Sequence, residues 1–204
     1  KFNTEEASRI FPIIIPPGKI NLGKDTTLES PELIIQYSEK IGVVGNNGSG
    51  KSTFLNQFVE RSNFEPNKVI YIPQEITIEQ SKVIINRVQN YKSDVKGQMM
   101  TIISRLGSEP NHVLETTIPS PGEIRKLMLA EGIMLNPGII IMDEPTNHMD
   151  LASIECIEQA LNECSCAQIL VSYDMTFLKN TVNFFWSFEP MKNKEYKIVS
   201  RFTV

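Results

Sequence analysis

Short apolar runs alternate with longer stretches of amphipathic pattern along most of the chain. Some of these runs are continuous and rich in β-branched residues, which is typical of buried strands. They occupy residues 41–44, 69–72, 139–142 and 169–171. The stretches between them carry apolar residues at helical spacing: Leu55, Phe58 and Val59; Ile124, Leu127 and Met128; Ile154, Ile157 and Leu161. Strands alternating with helices predict an α/β fold, a mostly parallel sheet with helices on both faces.

Two regions depart from this alternation. Residues 1–36 contain short apolar segments broken by Pro and Gly, which predict an N-terminal antiparallel β part. Residues 75–118 show helical spacing, as at Met99, Ile103 and Leu106, and predict an inserted helical subdomain. We therefore expect one domain over residues 1–204: an antiparallel β part at 1–40, a core at 41–74 and 119–204, and a helical subdomain at about 75–118.

The composition excludes some classes of protein but does not identify a binding partner. The net charge is −4, so overall charge favours neither nucleic acid nor an anionic membrane. The three cysteines have neither an even disulfide count nor zinc-ligand spacing, which favours a reduced, intracellular protein. No apolar run reaches the roughly 18 residues of a membrane span, so we predict no transmembrane segment in this chain.

A glycine-rich loop follows the first core strand. Its residues fit G-x-x-x-x-G-K-[ST], and they are Gly45, Asn46, Asn47, Gly48, Ser49, Gly50, Lys51 and Ser52. In such a loop, backbone N–H groups cradle phosphate oxygens, the lysine reaches the outer phosphates and the hydroxyl ligates Mg²⁺. The alternative is a glycine-rich turn without a ligand. The strand before the loop and the helix after it favour phosphate binding.

Two acids, Asp143 and Glu144, end a fully apolar strand about ninety residues later. Behind a phosphate loop, Asp143 can complete a Mg²⁺ shell, while Glu144 faces the outermost phosphate and activates a water molecule. A solvated acidic turn is the alternative. Between the phosphate loop and the acids, Ser120, Pro121 and Glu123 form a capping box with proline at the first helical position, and Asp150, after the acids, can cap the next helix.

Taken together, these segments resemble the ATP-binding cassette (ABC) ATPase domain, a P-loop NTPase. The matching segments, in family order, are residues 45–53, Pro73-Gln74, Ser120-Pro121-Gly122-Glu123, 139–144, Asp150 and 171–174. The run Glu144-Pro145-Thr146-Asn147-His148-Met149-Asp150 further resembles the ABC-F subfamily, whose members carry two nucleotide domains in one chain, have no transmembrane part and act on ribosomes.

The resemblance implies a role for each matching position. The residues that it implies for nucleotide binding are Gly45, Asn46, Asn47, Gly48, Ser49, Gly50, Lys51, Ser52 and Thr53. The implied Mg²⁺ ligands are Ser52, Gln74 and Asp143. Glu144 would be the catalytic base, and the further catalytic positions would be Lys51, Gln74 and Tyr173. Ser120, Gly122 and Glu123, the signature residues, would face the ATP of a second cassette, and Asp150 would lie at the dimer seam. The simpler interpretation of Ser120 and Asp150 as helix caps is compatible with these roles. We expect His148 to be structural.

Three positions depart from the family pattern. Pro121 replaces the first signature glycine and removes one N–H, although proline suits the first helical position. Tyr173 replaces the switch histidine, and a phenol with a pKa near 10 carries no positive charge at neutral pH. The region near Leu22 lacks the aromatic ring that the family stacks on adenine, and Phe11 is the nearest aromatic residue on that side.

These features predict an ATP- and Mg²⁺-dependent ATPase that is slow as an isolated domain. The first hypothesis is a cytoplasmic ABC-F-type domain that closes on a second cassette, in the same chain or a homodimer, to act on ribosomes. One alternative is the ATPase subunit of an ABC membrane transporter. Another is an ATP-binding switch that hydrolyses little because Tyr173 replaces histidine.

Overall fold

The computed structural model describes residues 12–23, 26–61, 68–115, 119–192 and 195–202. Phe11 lies outside the described residues. The strands are β1 (Ile13–Ile15), β2 (Gly18–Gly23), β3 (Thr26–Ser30), β4 (Leu33–Ile35), β5 (Lys40–Gly45), β6 (Val69–Ile72), β7 (Ile139–Asp143), β8 (Ala167–Val171), β9 (Phe184–Pro190) and β10 (Glu195–Phe202). The helices are α1 (Lys51–Arg61), α2 (Ile78–Gln89), α3 (Ser93–Arg105), α4 (Pro110–Glu115), α5 (Pro121–Met134), α6 (Leu151–Glu163) and α7 (Met175–Thr181).

Eight of the described strands form one sheet in the order β2-β3-β10-β9-β5-β8-β7-β6. The neighbours from β9 to β6 are all parallel. β10 runs antiparallel to β9, and β2 antiparallel to β3. β1 and β4 form a separate antiparallel pair. The predicted fold class, a mostly parallel sheet with antiparallel strands near the N-terminus, is confirmed.

The N-terminal strands join the sheet in a way that the sequence pattern did not predict. β2 and β3 extend the main sheet, and they do so through β10, the last of the described strands, which pairs with β3 in parallel. The prolines and glycines between the short N-terminal strands indicated turns but carried no information about this distant partner.

Side chains on the two faces of the sheet enter two separate apolar clusters, because successive residues of a strand point to opposite faces. In β7, Ile139 and Ile141 join the cluster that contains Phe54 and Leu55 of α1. Ile140 and Met142 join the cluster that contains residues of α2, α3, α5 and α6. Both faces of the sheet are therefore covered, as the fully apolar strands predicted.

The helices α2, α3 and α4 follow one another between β6 and β7. Met99, Ile103 and Leu106 are buried, in agreement with the helical spacing of these residues in the sequence. An Arg87–Glu131 ion pair connects α2 to α5, with Arg87 Nε 2.6 Å from Glu131 Oε1. The division of the chain into subdomains remains a prediction.

The parallel strands place chemically important residues at one edge of the sheet. Gly45 ends β5, Asp143 ends β7, and Tyr173 follows β8 by two residues. Gln74 follows β6 by two residues. Since the carboxyl ends of parallel strands meet at the same edge, this is the position where open α/β sheets bind ligands.

Helix α5 packs closely on β6 at Gly132, where an added Cβ would overlap the side chain of Ile70. Gly97, on the exposed side of α3, has no heavy atom near the same position. We expect Gly97→Ala to raise the free energy of unfolding by about 1 kcal/mol through helix propensity. We expect Gly132→Ala to lower the free energy of unfolding to about 1–3 kcal/mol below that of wild type, because the cost of overpacking exceeds the gain in helix propensity. Urea unfolding measures both values, and equal stabilisation of the two variants would contradict the close packing.

Candidate functional site

The loop between β5 and α1 wraps around the start of the helix. Gly48 and Gly50 have φ angles of 75° and 87°, in the left-handed region that glycine tolerates. A Cβ at Gly50 would also overlap Leu22 of β2. Because the first N–H groups of a helix lack intrahelical partners and carry the positive end of its dipole, the start of α1 is suited to an anion.

The Lys51 side chain is buried and folds back over this loop. Its Nζ donates to the carbonyl oxygens of Gly45 at 2.8 Å and Asn46 at 3.1 Å, and to the Tyr173 hydroxyl at 2.9 Å. It also lies 4.4 Å from the centre of the Tyr173 ring, a cation–π contact. These three partners are neutral and cancel none of the positive charge of Lys51, and a phosphate in the cleft would replace one or more of them as acceptor.

Asp143 and Glu144 are both buried at the end of β7. Desolvation by burial raises the pKa of the Asp143 carboxyl, against the opposing effects of a Ser52 hydrogen bond and the charges of Lys51 and Arg125. The Asp143 Oδ1 atom has no hydrogen-bond partner among the described residues. Mg²⁺ prefers oxygen ligands, and here a buried carboxylate oxygen that accepts no hydrogen bond lies next to a serine hydroxyl. The residues present therefore fit this ion.

Glu144 has an unusual backbone, with φ of 51°, and its N–H donates to Val171 of β8 at 2.8 Å. Its Oε2 accepts from the backbone N–H of Tyr173 at 3.3 Å and from the Ser172 hydroxyl at 3.4 Å. Oε1 has no partner in the described part of the chain. Strained backbone that is held by neighbouring strands is often found at functional sites. In this backbone conformation, one carboxylate oxygen of Glu144 has no hydrogen-bond donor among the described residues.

A cleft of about 470 Å³ connects these groups. It is lined by Leu22, Gly23, Thr26, Gly48, Gly50, Lys51, Ser52, Thr53, Gln74, Asp143, Glu144, Val171 and Tyr173. This volume lies within the usual range for small-molecule sites, about 300–1,000 Å³. The structure therefore brings together the predicted lysine, hydroxyl, glutamine, acids and tyrosine. Gly45 at the end of β5 and Asn46, Asn47 and Ser49 in the loop do not line the cleft.

The predicted signature residues lie in a second cleft, of about 380 Å³. Ser120, Gly122, Glu123 and Asp150 line it, together with His148, which is exposed. The capping roles are present: Ser120 Oγ accepts from Glu123 N at 3.2 Å, and Asp150 Oδ1 accepts from Ser153 N at 2.7 Å. These residues are not brought to the phosphate loop of their own chain, and their roles toward a partner remain predictions.

Sequence reasoning missed Arg125, a buried residue on α5. Its guanidinium donates to the backbone carbonyl of Gln74 and to that of Asn147, the latter at 2.6 Å. The sequence analysis identified only Ile124, Leu127 and Met128 as the apolar positions of this helix, and their spacing gave no sign that the neighbouring Arg125 is buried. Its burial follows from α5 being covered on nearly all sides.

The raised pKa of Glu144 has a consequence for stability. Burial is the main cause, opposed by the Tyr173 N–H, with the nearby Asp143 charge adding to the increase. A carboxyl with a raised folded pKa binds more protons folded than unfolded, so the free energy of unfolding falls as pH rises through that window. Without Mg²⁺ or nucleotide, we expect Glu144→Gln to have a higher Tm than wild type near neutral pH.

This Tm difference should shrink as the pH falls toward the ordinary glutamate pKa of about 4.3. Calorimetry over a pH series measures it, with Glu155→Gln on the exposed side of α6 as the control. A Glu144→Gln variant that is less stable than wild type at neutral pH would contradict the cost of burying this charge.

Helices long and apolar enough to cross a membrane are absent from the described part of the chain.

The chain is similar in sequence and in fold to known proteins. The family model described as "ABC transporter" matches residues 28–147. The chain is 32% identical over 182 residues to "ATP-binding protein Uup" of Buchnera aphidicola, covering 81% of this chain and 31% of that protein. It is 31% identical over 178 residues to "Ribosome protection protein VmlR" of Bacillus subtilis, covering 79% of this chain and 31% of that protein.

The chain thus spans about a third of the length of these relatives. Among solved structures, one is titled "Structure of ATP binding subunit of ABC transporter". It has a TM-score of 0.67 and is 16% identical, and the match covers 94% of this chain and 90% of that chain. This similarity supports the fold. The chain belongs to the ABC transporter family, as an ABC ATPase domain most like the ABC-F subfamily.

Proposed function

We propose that this chain is an ATP-binding and ATP-hydrolysing domain of an ABC-F-type protein. The observation that carries the proposal is the single cleft that Lys51, Ser52, Asp143 and Glu144 share at the edge of the sheet. A phosphate-binding loop beside two buried acids is the arrangement that phosphoryl transfer to water needs. Membership of the family supports nucleotide hydrolysis in general.

Each residue has a role that its position supports. The N–H groups at the start of α1 and the Lys51 ammonium would bind the phosphates, and Ser52, Asp143 and Gln74 would hold Mg²⁺. When bound, Mg²⁺ neutralises charge on the phosphate oxygens. Glu144 accepts a proton from the attacking water, and a raised pKa makes a carboxylate a more effective base near neutral pH.

We propose that hydrolysis needs a second cassette, in the same chain or in a homodimer. Ser120, Gly122 and Glu123 line a cleft separate from the one that contains Lys51. The start of α5 can therefore bind a phosphate of a partner, with Asp150 at the seam. An isolated domain would then bind Mg-ATP and hydrolyse it slowly.

The proposed setting is the cytoplasm, with the ribosome as the object of action. The relative from Bacillus subtilis is named a ribosome protection protein, and the chain resembles it over 79% of its own residues. Closure of two cassettes on ATP would supply the movement that changes or vacates a ribosomal site.

The test is Glu144→Gln in the protein as expressed from its gene. We expect Mg-ATP affinity within about threefold of wild type, because this side chain acts on water rather than on phosphate, and a loss of turnover of at least a hundredfold. Equilibrium binding and phosphate release measure the two quantities. Unchanged turnover would remove Glu144 from the role of base, and absence of nucleotide binding in the wild type would refute the function.

The partner role of the signature is tested by Ser120→Ala, with Thr77→Ala as the matched control. Thr77 caps α2 with the same capping box, so either variant should lose about 1 kcal/mol of stability. Only Ser120→Ala should lower turnover at saturating ATP, by roughly tenfold or more, because it alone loses a phosphate contact. Equal turnover in both variants would reduce Ser120 to a helix cap.

A second candidate, an ATP-binding switch that hydrolyses little, is favoured by the hydrogen bond of 2.9 Å between Lys51 and Tyr173. If the neutral phenol limits the rate, Tyr173→His should raise turnover severalfold, since imidazole can carry positive charge near neutral pH. Tyr173→Phe should give no increase. Substantial turnover in the wild type, with no gain in Tyr173→His, would eliminate the switch.

An ATPase subunit of a membrane transporter is the remaining alternative, because the matched family model is described by transport. Copurification of the expressed protein separates the two. Ribosomal subunits in the bound fraction support the first proposal, and an integral membrane partner supports transport.

A further inference from the structure

Arg125 occupies a position that none of the roles above explains. It lies within the first two turns of α5 and is buried, yet it makes no ion pair in the described part of the chain. Its two terminal nitrogens donate to backbone carbonyls, and its Nε has no partner among the described residues. A buried guanidinium held only by carbonyl oxygens is costly to maintain.

The two carbonyls belong to different loops, of which one lines the cleft and the other follows an acid that lines it. One is that of Gln74, which lines the cleft after β6. The other is that of Asn147, three residues after Glu144. The planar fork of arginine can hold two acceptors in fixed relative positions, which a single ammonium does less well. Arg125 therefore connects the glutamine loop to the loop that follows the acids, without lining the cleft itself.

The charge of Arg125 faces the same region. Burial lowers the pKa of the guanidinium, whereas the charges of Asp143 and Glu144 raise it. These opposing effects indicate that both carboxyls lie close enough to interact with Arg125 through the protein interior.

The position of Arg125 along α5 adds a further connection. Ser120 caps this helix five residues earlier, which corresponds to roughly 7–8 Å along the helix axis. A helix segment of this length moves as a rigid unit. A shift of the signature end of α5 would therefore move the Arg125 fork, and with it both loops.

We propose that Arg125 is a positioning residue for hydrolysis: it fixes the backbone of Gln74 against that of Asn147 and links both to the helix that faces the partner's nucleotide. The inference rests on the proposed ATPase function. Arg125 acts through Gln74 and through the loop after Glu144, and it makes no contact with the nucleotide.

The experiment compares Arg125→Lys, Arg125→Met and wild type in the protein as expressed from its gene. Loss of the fork should lower kcat by roughly tenfold or more in Arg125→Met, because displacement of positioned groups reduces chemistry more than binding. Arg125→Lys should recover part of this loss. The Kd for ATP, measured under conditions that prevent turnover, should stay within about threefold of wild type.

Arg87→Met is the matched control. Arg87 also binds α5, through Glu131, but its contacts lie away from the cleft. It should lower Tm without changing kcat. If Arg125→Met does not fold, Arg125→Lys alone decides, since it keeps the charge and most of the volume.

Amide hydrogen exchange provides a second measurement that does not depend on hydrolysis. In the Arg125 variants, amide exchange should increase both in residues 74–76 and in residues 146–149, whereas Arg87→Met should leave both segments unchanged. The inference fails if the exchange of these segments is unchanged in Arg125→Lys, or if Kd rises as much as kcat falls. A wild type that hydrolyses no ATP refutes the proposed function instead, and the exchange data then decide the structural link by themselves.

Discussion

Keeping charge out of water at the sheet edge is the constraint on which the rest of this structure depends. Lys51, Arg125, Asp143 and Glu144 are all buried around the cleft, yet none of the ion pairs in the described residues joins two of them. The cations are held by carbonyl and hydroxyl oxygens, and each acid keeps one oxygen without a donor. Two positive and two negative groups thus balance at a distance, a state that a charged ligand and a divalent cation would stabilise.

The fold supplies the rigidity that this arrangement requires. Parallel strands β5, β7 and β8 are buried between two apolar clusters, so the residues at their ends have little freedom to relax. The hydrogen bond from Glu144 N to Val171 shows how directly the sheet determines the site, since a ladder partner fixes the strained residue. Burial and strain together explain why the acids keep unpaired oxygens instead of turning toward a nearby donor.

The sequence predicted the central strands and the loop because the signals there are local. Glycines at fixed spacing, a lysine and a serine define the phosphate loop, and continuous β-branched runs define buried strands. The capping box at Ser120 was equally local, and its hydrogen bonds are present. Two features were not predictable in this way. Arg125 depends on which loops α5 packs against, and the pairing of β3 with β10 joins residues about 170 positions apart. Neither leaves a periodic or compositional trace.

That pairing has a consequence for the order in which the molecule can be completed. Leu22, on β2, packs over Gly50 and forms one wall of the cleft, but β2 and β3 reach the main sheet only through β10 among the described strands. During synthesis the phosphate loop and both acids therefore leave the ribosome well before the strand that secures this wall. A nascent chain would acquire its full binding pocket only after β10 has emerged, so removing β10 would affect nucleotide affinity at a site distant in sequence.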